Sequence, residues 1–122
     1  MMVISNNLVA QQKEVSNKEK PIVLFVEFQF ETKDMILATE LLTDMQNQTI
    51  ELEEGCIAYD ILLNDEEPNT IYLYECYENN AALDVHNNTS YFKEIVNEKL
   101  SPLIKSRKIL KLNPINDIGI IM

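Results

Sequence analysis

A run of ten residues, PIVLFVEFQF at 21–30, constrains the fold of this chain more than any other feature. Its density of β-branched and aromatic residues predicts a β-strand, and its proline stands at the first position, where a missing N–H is tolerated. Apolar side chains occur at both parities of the run, whereas a sheet covered on one face only should show a polar second face. We therefore predict that both faces of this strand are covered.

The segments that follow predict an α+β protein. Thr32 stands where a helix N-cap belongs, and apolar residues recur at helical spacing after it. In chain order the predicted elements are strand 21–30, helix 33–48, strands 56–64 and 70–77, a short helix at 79–86, a helix capped at 89 or 90 that runs toward 103, and strand 109–112. This order is that of a ferredoxin-like, split βαβ sandwich with an antiparallel sheet.

Helices can cover only one face of such a sheet, so something else must cover the other. A second copy of the same sheet is the simplest cover, and a symmetric dimer is the commonest oligomer. We therefore expect a homodimer. The chain divides into an N-terminal extension at 1–20, one folded domain at 21–113 and a C-terminal tail at 114–122, whose role the sequence does not indicate.

Composition narrows the possible partners. Twenty Asp and Glu residues against ten Lys and Arg give a net charge of −10, which repels nucleic acid and anionic membranes, so we expect neither as a partner. No run approaches the ~18 apolar residues of a membrane span, and the start lacks the basic region of a secretory signal. Two cysteines and one histidine are too few for a disulfide framework or a metal site. We expect a cytoplasmic protein with free thiols.

The predicted hairpin brings possible site residues together. If it is symmetric about Glu66, Tyr59 lies opposite Leu73, and Cys56 lies opposite Cys76. Tyr59 then shares one face with Glu75 and Tyr77, among aliphatic side chains. A buried carboxylate needs a partner. The alternative is that Glu75 lies at an edge and reaches solvent or a lysine.

His86 is the only histidine, and its ordinary pKa near neutrality makes it the first choice for proton transfer at pH 7. Helical spacing places it on the inward side with Ala82 and Leu83. The alternative is a helix-end histidine bonded to backbone carbonyls. With only Gly55 and Gly119 in the chain there is no glycine-rich phosphate loop, so we expect no bound cofactor.

An ordered set of short motifs in this chain resembles the antibiotic biosynthesis monooxygenase (ABM) domain family. The similarity extends over about 21–113, and the residues that carry it are Glu53-Glu54-Gly55-Cys56, Tyr59, Tyr74-Glu75-Cys76-Tyr77, Ala81-Ala82-Leu83, His86 and Thr89. The resemblance implies a ferredoxin-like dimer, described as a dimeric α/β-barrel, with a substrate pocket between sheet and helices. It also implies that His86, Tyr77 and Glu27 line this pocket.

The chain departs from the family pattern at three positions. Tyr91 stands where a second histidine is often found, which rules out a two-histidine site. Glu54 replaces the usual proline. Glu27 occupies the place of an asparagine in haem-degrading relatives, which counts against haem.

The resemblance includes cofactor-free quinol monooxygenases, and these supply the leading hypothesis. The substrate is then a hydroquinone or polyketide-type phenol, which dioxygen oxidises once the phenol is deprotonated. His86 is the expected base, Glu75 fixes the imidazole or bonds a tyrosine hydroxyl, and Tyr59 and Tyr77 orient the ring.

Two alternatives stay open. The family also includes the isomerase of phosphorylated autoinducer-2, and proton transfer beside a carbonyl in a phosphorylated sugar derivative would use the same histidine and carboxylate. Such a substrate needs cations, and Lys105, Arg107, Lys108 and Lys111 form the only dense basic cluster, although alternation favours a solvated strand there. The third hypothesis is a non-catalytic dimer that binds a small apolar ligand.

Overall fold

A computed structural model describes residues 20–115 of the 122-residue chain. The predicted N-terminal extension at 1–20 and the C-terminal tail at 114–122 lie outside the described residues except at their inner ends. The folded domain expected at 21–113 falls entirely within them.

Four strands form one antiparallel sheet in the order β2-β3-β1-β4. They are β1 (Ile22–Gln29), β2 (Cys56–Leu63), β3 (Thr70–Tyr77) and β4 (Ser106–Leu112). Strand β1, which contains the run that is apolar at both parities, is a central strand with β3 on one side and β4 on the other. The edge strands are β2 and β4. The predicted α+β, ferredoxin-like fold with an antiparallel sheet is confirmed.

Three helices accompany the sheet: α1 (Met35–Leu52), α2 (Asn80–Asn87) and the π-helical α3 (Phe92–Leu100). A 3₁₀ turn at Thr32–Asp34 precedes α1, so the predicted cap is wrong: the Thr32 hydroxyl instead accepts a hydrogen bond from Asn69 Nδ2 at 3.0 Å. The asparagine start of α2 is confirmed, because Asn79 Oδ1 accepts from the Ala82 N–H at 2.8 Å.

The hydrophobic core lies between one face of the sheet and the helices. Val26 and Phe28 of β1 and Ile71 of β3 pack there against Leu42 and Met45 of α1, and all five side chains are buried. α1 continues four residues beyond its predicted end at 48, which carries its C-terminus toward the start of β2. This extension positions a residue of the site described below.

The β2–β3 register differs from the predicted one by two residues. Tyr59 lies opposite Glu75 and not opposite Leu73. The hairpin is symmetric about Glu67, where two consecutive turns meet: the Glu67 N–H donates to Asn64 O at 2.9 Å, and the Glu67 carbonyl accepts from the Thr70 N–H at 3.0 Å. Because side chains alternate with a period of two, this shift keeps the predicted face of the paired residues from Ala58 to Leu63.

The register shift also separates the two cysteines, and a bulge at the start of β2 changes the face of Cys56. Cys56 lies opposite Tyr77, whereas Cys76 lies opposite Ala58, with the register irregular between Cys56 and Ala58. One extra residue turns Cys56 toward the helices, where it packs against the core. The two cysteines are therefore not opposite each other, and both are free thiols.

Candidate active site

The site is built around the buried imidazole of His86. This residue lies in the last turn of α2, one helical turn after Leu83, and only 2% of it is exposed. Three aromatic rings surround the imidazole, with centroids at 4.9 Å for Tyr77, 5.2 Å for Phe92 and 6.2 Å for Tyr59. The predicted inward orientation of His86 is confirmed.

Glu53 holds the Nδ1 side of this ring. It is the residue after the last turn of α1, and both of its carboxylate oxygens lie 3.1 Å from His86 Nδ1. The Tyr91 hydroxyl donates a further hydrogen bond to Glu53 Oε2. A carboxylate at a helix C-terminus opposes the helix dipole. These two donors offset that effect and hold the carboxylate in a buried position.

The contact with Glu53 determines the tautomer of His86. A carboxylate only accepts, so Nδ1–H donates to it, and in the neutral ring Nε2 carries the free lone pair. Nε2 points toward Glu75 Oε1, at 3.7 Å. Burial lowers the pKa of His86, although the Glu53 carboxylate opposes this shift. The imidazole is thus neutral near pH 7 and can accept a proton at Nε2.

Glu75 lies on the other side of the ring and is 5% exposed. The Tyr77 hydroxyl donates to its Oε1 at 2.6 Å. Burial raises the pKa of Glu75, the hydrogen bond from Tyr77 lowers it and the charge of Glu53 raises it, and together they bring this pKa to about 7. Burial, together with Glu75, also raises the pKa of Tyr59 and of Tyr77 well above the ordinary value, so both remain neutral phenols.

A cavity of about 360 Å³ lies beside these groups, between the sheet and the helices. Its wall is mostly aliphatic and aromatic, and His86, Glu75 and Tyr59 reach it from α2, β3 and β2. Strand β4 forms another side, and its residues are exposed, so the cavity opens at this edge of the sheet. The volume falls in the range of sites for small organic ligands.

The residues predicted for the site are thus only partly brought together. His86, Glu75 and Tyr59 line the cavity, whereas Tyr77 does not line it but packs against the His86 ring and donates a hydrogen bond to Glu75. The structure does not place Glu27 there. Its neighbours Val26 and Phe28 line the cavity, and alternation along β1 turns Glu27 to the opposite face of the sheet.

Sequence reasoning missed Glu53 and Tyr91 as parts of the site. Glu53 belongs to the acidic turn that carries the family resemblance, but the predicted end of α1 at 48 left it in a loop. Tyr91 entered only as the residue that replaces a second histidine. An acidic residue directly after a helix is the signal that could have identified Glu53, because that position disfavours negative charge.

Residues 20–115 have neither a ready metal site nor a helix suited to crossing a membrane. No group of three or more His, Cys, Asp or Glu side chains there is arranged to hold a metal ion. None of the helices in the same part of the chain combines the length and the hydropathy that a membrane crossing needs.

Comparison with solved structures identifies the same fold in several bacterial proteins. A candidate antibiotic biosynthesis monooxygenase from Caulobacter crescentus superposes with a TM-score of 0.76 at 19% identity, over 86% of this chain and 99% of that one. A possible oxidoreductase from Bacteroides thetaiotaomicron gives 0.73 at 24% identity, over 79% and 99%. Rv0793 from Mycobacterium tuberculosis gives 0.72 at 21%, over 80% and 97%. At these identities the likeness concerns the fold alone.

Sequence comparison adds one curated relative and one family. The uncharacterized protein sll1783 of Synechocystis is 39% identical over 57 residues, which are 47% of this chain. The chain therefore spans only 39% of the length of that relative. The sequence model of the antibiotic biosynthesis monooxygenase family matches residues 21–98, which include β1 through most of α3 and the groups around His86. This chain belongs to the antibiotic biosynthesis monooxygenase family.

Proposed function

We propose that this protein is a cofactor-independent monooxygenase that oxidises a hydroquinone or polyketide-type phenol with dioxygen. The observation that carries the proposal is the placement of one neutral imidazole in the wall of an apolar cavity, with its free Nε2 3.7 Å from Oε1 of Glu75, a carboxyl group whose pKa burial raises to about 7. This arrangement supplies a base and a proton donor to a substrate that is itself the reductant.

In the proposed reaction, His86 Nε2 accepts the proton of one substrate hydroxyl. The resulting phenolate is a better electron donor to dioxygen than the phenol. A hydroquinone and dioxygen then give a hydroxyquinone and water: one oxygen atom enters the ring, the other leaves as water, and the substrate supplies all four electrons. An apolar cavity protects the intermediates from solvent.

The groups around the imidazole have distinct proposed roles. Glu53 is a positioning residue that fixes the ring and stabilises the imidazolium formed when Nε2 takes the proton. Glu75 donates its proton to a substrate oxygen, and Tyr77 orients Glu75 through the 2.6 Å hydrogen bond. Tyr59 contacts the substrate ring from the cavity wall.

Oxygen uptake by the purified protein with 1,4-dihydroxynaphthalene tests this proposal. We expect His86→Ala to lower the rate roughly 10²–10⁴-fold, the usual contribution of a general base. Added imidazole should restore part of the loss. Asn87→Ala is the matched control, because Asn87 also lines the cavity and has no titratable group. An unchanged rate in His86→Ala, measured on a folded variant, would remove His86 from the mechanism.

The isomerase and the binding-only hypotheses give different results in this assay. An isomerase would use His86 and Glu75 for proton transfer beside a carbonyl, with no oxygen consumed. A binding protein would be stabilised thermally by apolar ligands and would turn none of them over.

We also propose that the protein functions as a cytoplasmic homodimer. The second face of the sheet supports the dimer, because Tyr74, Leu62 and Leu110 lie on it and each is more than one third exposed. The rings of Phe25 and Tyr72 stack beside them, with centroids 5.9 Å apart. Large apolar side chains exposed on one face of a sheet can pack against the sheet of a second subunit. Two free thiols agree with a reducing compartment.

A further inference from the structure

The basic residues of β4 are divided between the two faces of the sheet. Arg107 and Lys111 line the cavity with Ile109, whereas alternation turns Lys108 to the opposite face. The pairing with β1 supports this division, since Arg107 and Lys111 lie opposite Phe28 and Leu24, which line the same cavity. Two cations of a strand that sequence analysis treated as a solvated edge therefore belong to the site.

Neither cation has a carboxylate partner within residues 20–115, where the ion pairs join His86 to Glu53 and Glu75, and Lys99 to Glu94. The guanidinium of Arg107 lies 5.8 Å from the centroid of the Phe28 ring, and within the described part of the chain its one hydrogen bond goes to the Ser101 hydroxyl, at 3.3 Å. The chain has twice as many acidic as basic residues. Two cations without a carboxylate beside one cavity are therefore unexpected.

The ionisation of the other groups in the cavity also leaves the charge of these two cations largely unbalanced. His86 is neutral near pH 7, and Glu75, with a pKa of about 7, is only partly ionised there, so together they compensate less than one of the two charges of Arg107 and Lys111. The mouth of the cavity is positive in an otherwise acidic protein, while its interior is apolar. A ligand that matches both properties has an apolar ring at one end and a negative charge at the other.

We propose that the substrate of this cavity is an aromatic hydroquinone that bears a carboxylate, with its ring and hydroxyls toward His86 and its carboxylate at Arg107 and Lys111. This inference rests on the proposed function and names the substrate class for it. A guanidinium offers two parallel N–H donors to a carboxylate, and an ammonium adds a point charge, so the pair discriminates an anion from a neutral analogue.

Two matched substrates test the inference: 1,4-dihydroxynaphthalene and its 2-carboxylate. We expect the wild type to prefer the carboxylate, and Lys111→Gln and Arg107→Gln each to raise its KM about tenfold, equivalent to one lost charge-assisted contact. The KM of the neutral substrate should stay within about twofold. Lys108→Gln is the control, since it removes an equal charge from the same strand on the other face. Equal effects on both substrates, or an equal effect of Lys108→Gln, would overturn the inference.

A binding measurement separates this inference from the proposed function. The non-reacting pair 1-hydroxy-2-naphthoate and 1-naphthol can be titrated without oxygen, by ligand fluorescence. If no quinol is oxidised but the wild type still binds the naphthoate more tightly, and Lys111→Gln abolishes that preference, the anion site stands and the monooxygenase proposal fails. If quinols are oxidised and neither the carboxylate quinol nor the naphthoate is preferred, the anion site is wrong and the monooxygenase proposal stands.

Discussion

Two carboxylates flank the single imidazole of this protein, and their surroundings differ. Glu53 accepts hydrogen bonds from His86 Nδ1 and from Tyr91, whereas Glu75 accepts one from Tyr77 and borders an apolar cavity. In enzymes, two neighbouring titratable groups often have different environments that push their pKa values apart, so that one acts as the acid and the other as the base. The position of Glu53 allows it to stabilise a positive charge on the His86 ring, and the position of Glu75 allows it to donate a proton.

The raised pKa of Glu75 predicts a specific pH dependence of stability. The native carboxyl keeps its proton up to a pH of about 7, whereas its ordinary pKa is 4.5. Between these values the unfolded state binds fewer protons, so the stability contributed by this residue falls as the pH rises. Glu75→Gln keeps an acceptor for Tyr77 and cannot ionise. We expect the variant to gain on the order of 3 kcal/mol relative to wild type between pH 4.5 and pH 8.

Urea unfolding at several pH values measures this difference. The lowered pKa of His86 has an effect of the opposite sign, and because His86 lies 3.7 Å from Glu75 the double variant series with His86→Gln separates the two contributions. Glu54→Gln is the control, because Glu54 is exposed and its removal should leave the pH profile unchanged. A difference between Glu75→Gln and wild type that does not vary with pH would show that Glu75 ionises normally in the folded protein.

At the scale of elements, the position of α2 depends on a close approach to the turn before β2. A methyl group on Gly55 would lie 2.5 Å from Ala82 Cβ, and the Gly55 carbonyl also accepts a hydrogen bond from the Glu78 N–H at 2.9 Å. Ala82 is one helical turn before His86, so this contact sets the distance between the imidazole and Glu53. A glycine is needed here to let the two segments meet.

We expect Gly55→Ala to destabilise the protein by about 1–3 kcal/mol, the usual effect of overpacking, and to lower activity by displacing α2. The double variant Gly55→Ala/Ala82→Gly removes the opposing methyl group and should recover most of the loss in activity. Thermal unfolding and oxygen uptake measure the two effects. Failure of the double variant to recover activity would show that the Gly55–Ala82 contact does not position His86.

The sheet has one face that packs against the helices and a second, exposed face that is partly apolar. We expect the protein to be a dimer at micromolar concentration by sedimentation, and Leu110→Glu to shift it toward monomer, because a carboxylate would be buried against the partner sheet. Ile36→Glu is the control: Ile36 is 76% exposed on α1. A wild-type monomer at these concentrations would overturn the dimer proposal.

Much of the fold could be predicted because its signals are local. The density of β-branched and aromatic residues at 21–30 predicted β1, helical spacing predicted the buried side of α1, and Asn79 predicted the start of α2. The predicted faces of Tyr59 and Glu75 survived a register error for a simple reason. A shift of two residues preserves the side of the sheet, although it changes the cross-strand partner.

The rest of the site required contacts between distant parts of the chain. Glu53 and His86 are 33 residues apart, and Glu53 and Tyr91 are 38 apart, so no periodicity links them. Glu27 was assigned to the pocket by resemblance, but the alternation of β1 turns it away. Arg107 and Lys111 became part of the site only once β4 was placed beside β1.

Local sequence patterns were enough to predict the elements, their order and the side of each strand that carries apolar residues, because each depends on neighbours within one or two turns or pleats. The groups that surround His86, the free nitrogen of its ring and the cations that reach the cavity follow from long-range packing. Those properties depend on how α1, α2 and β4 pack around one space, and burial in that space lowers the pKa of His86 and raises that of Glu75.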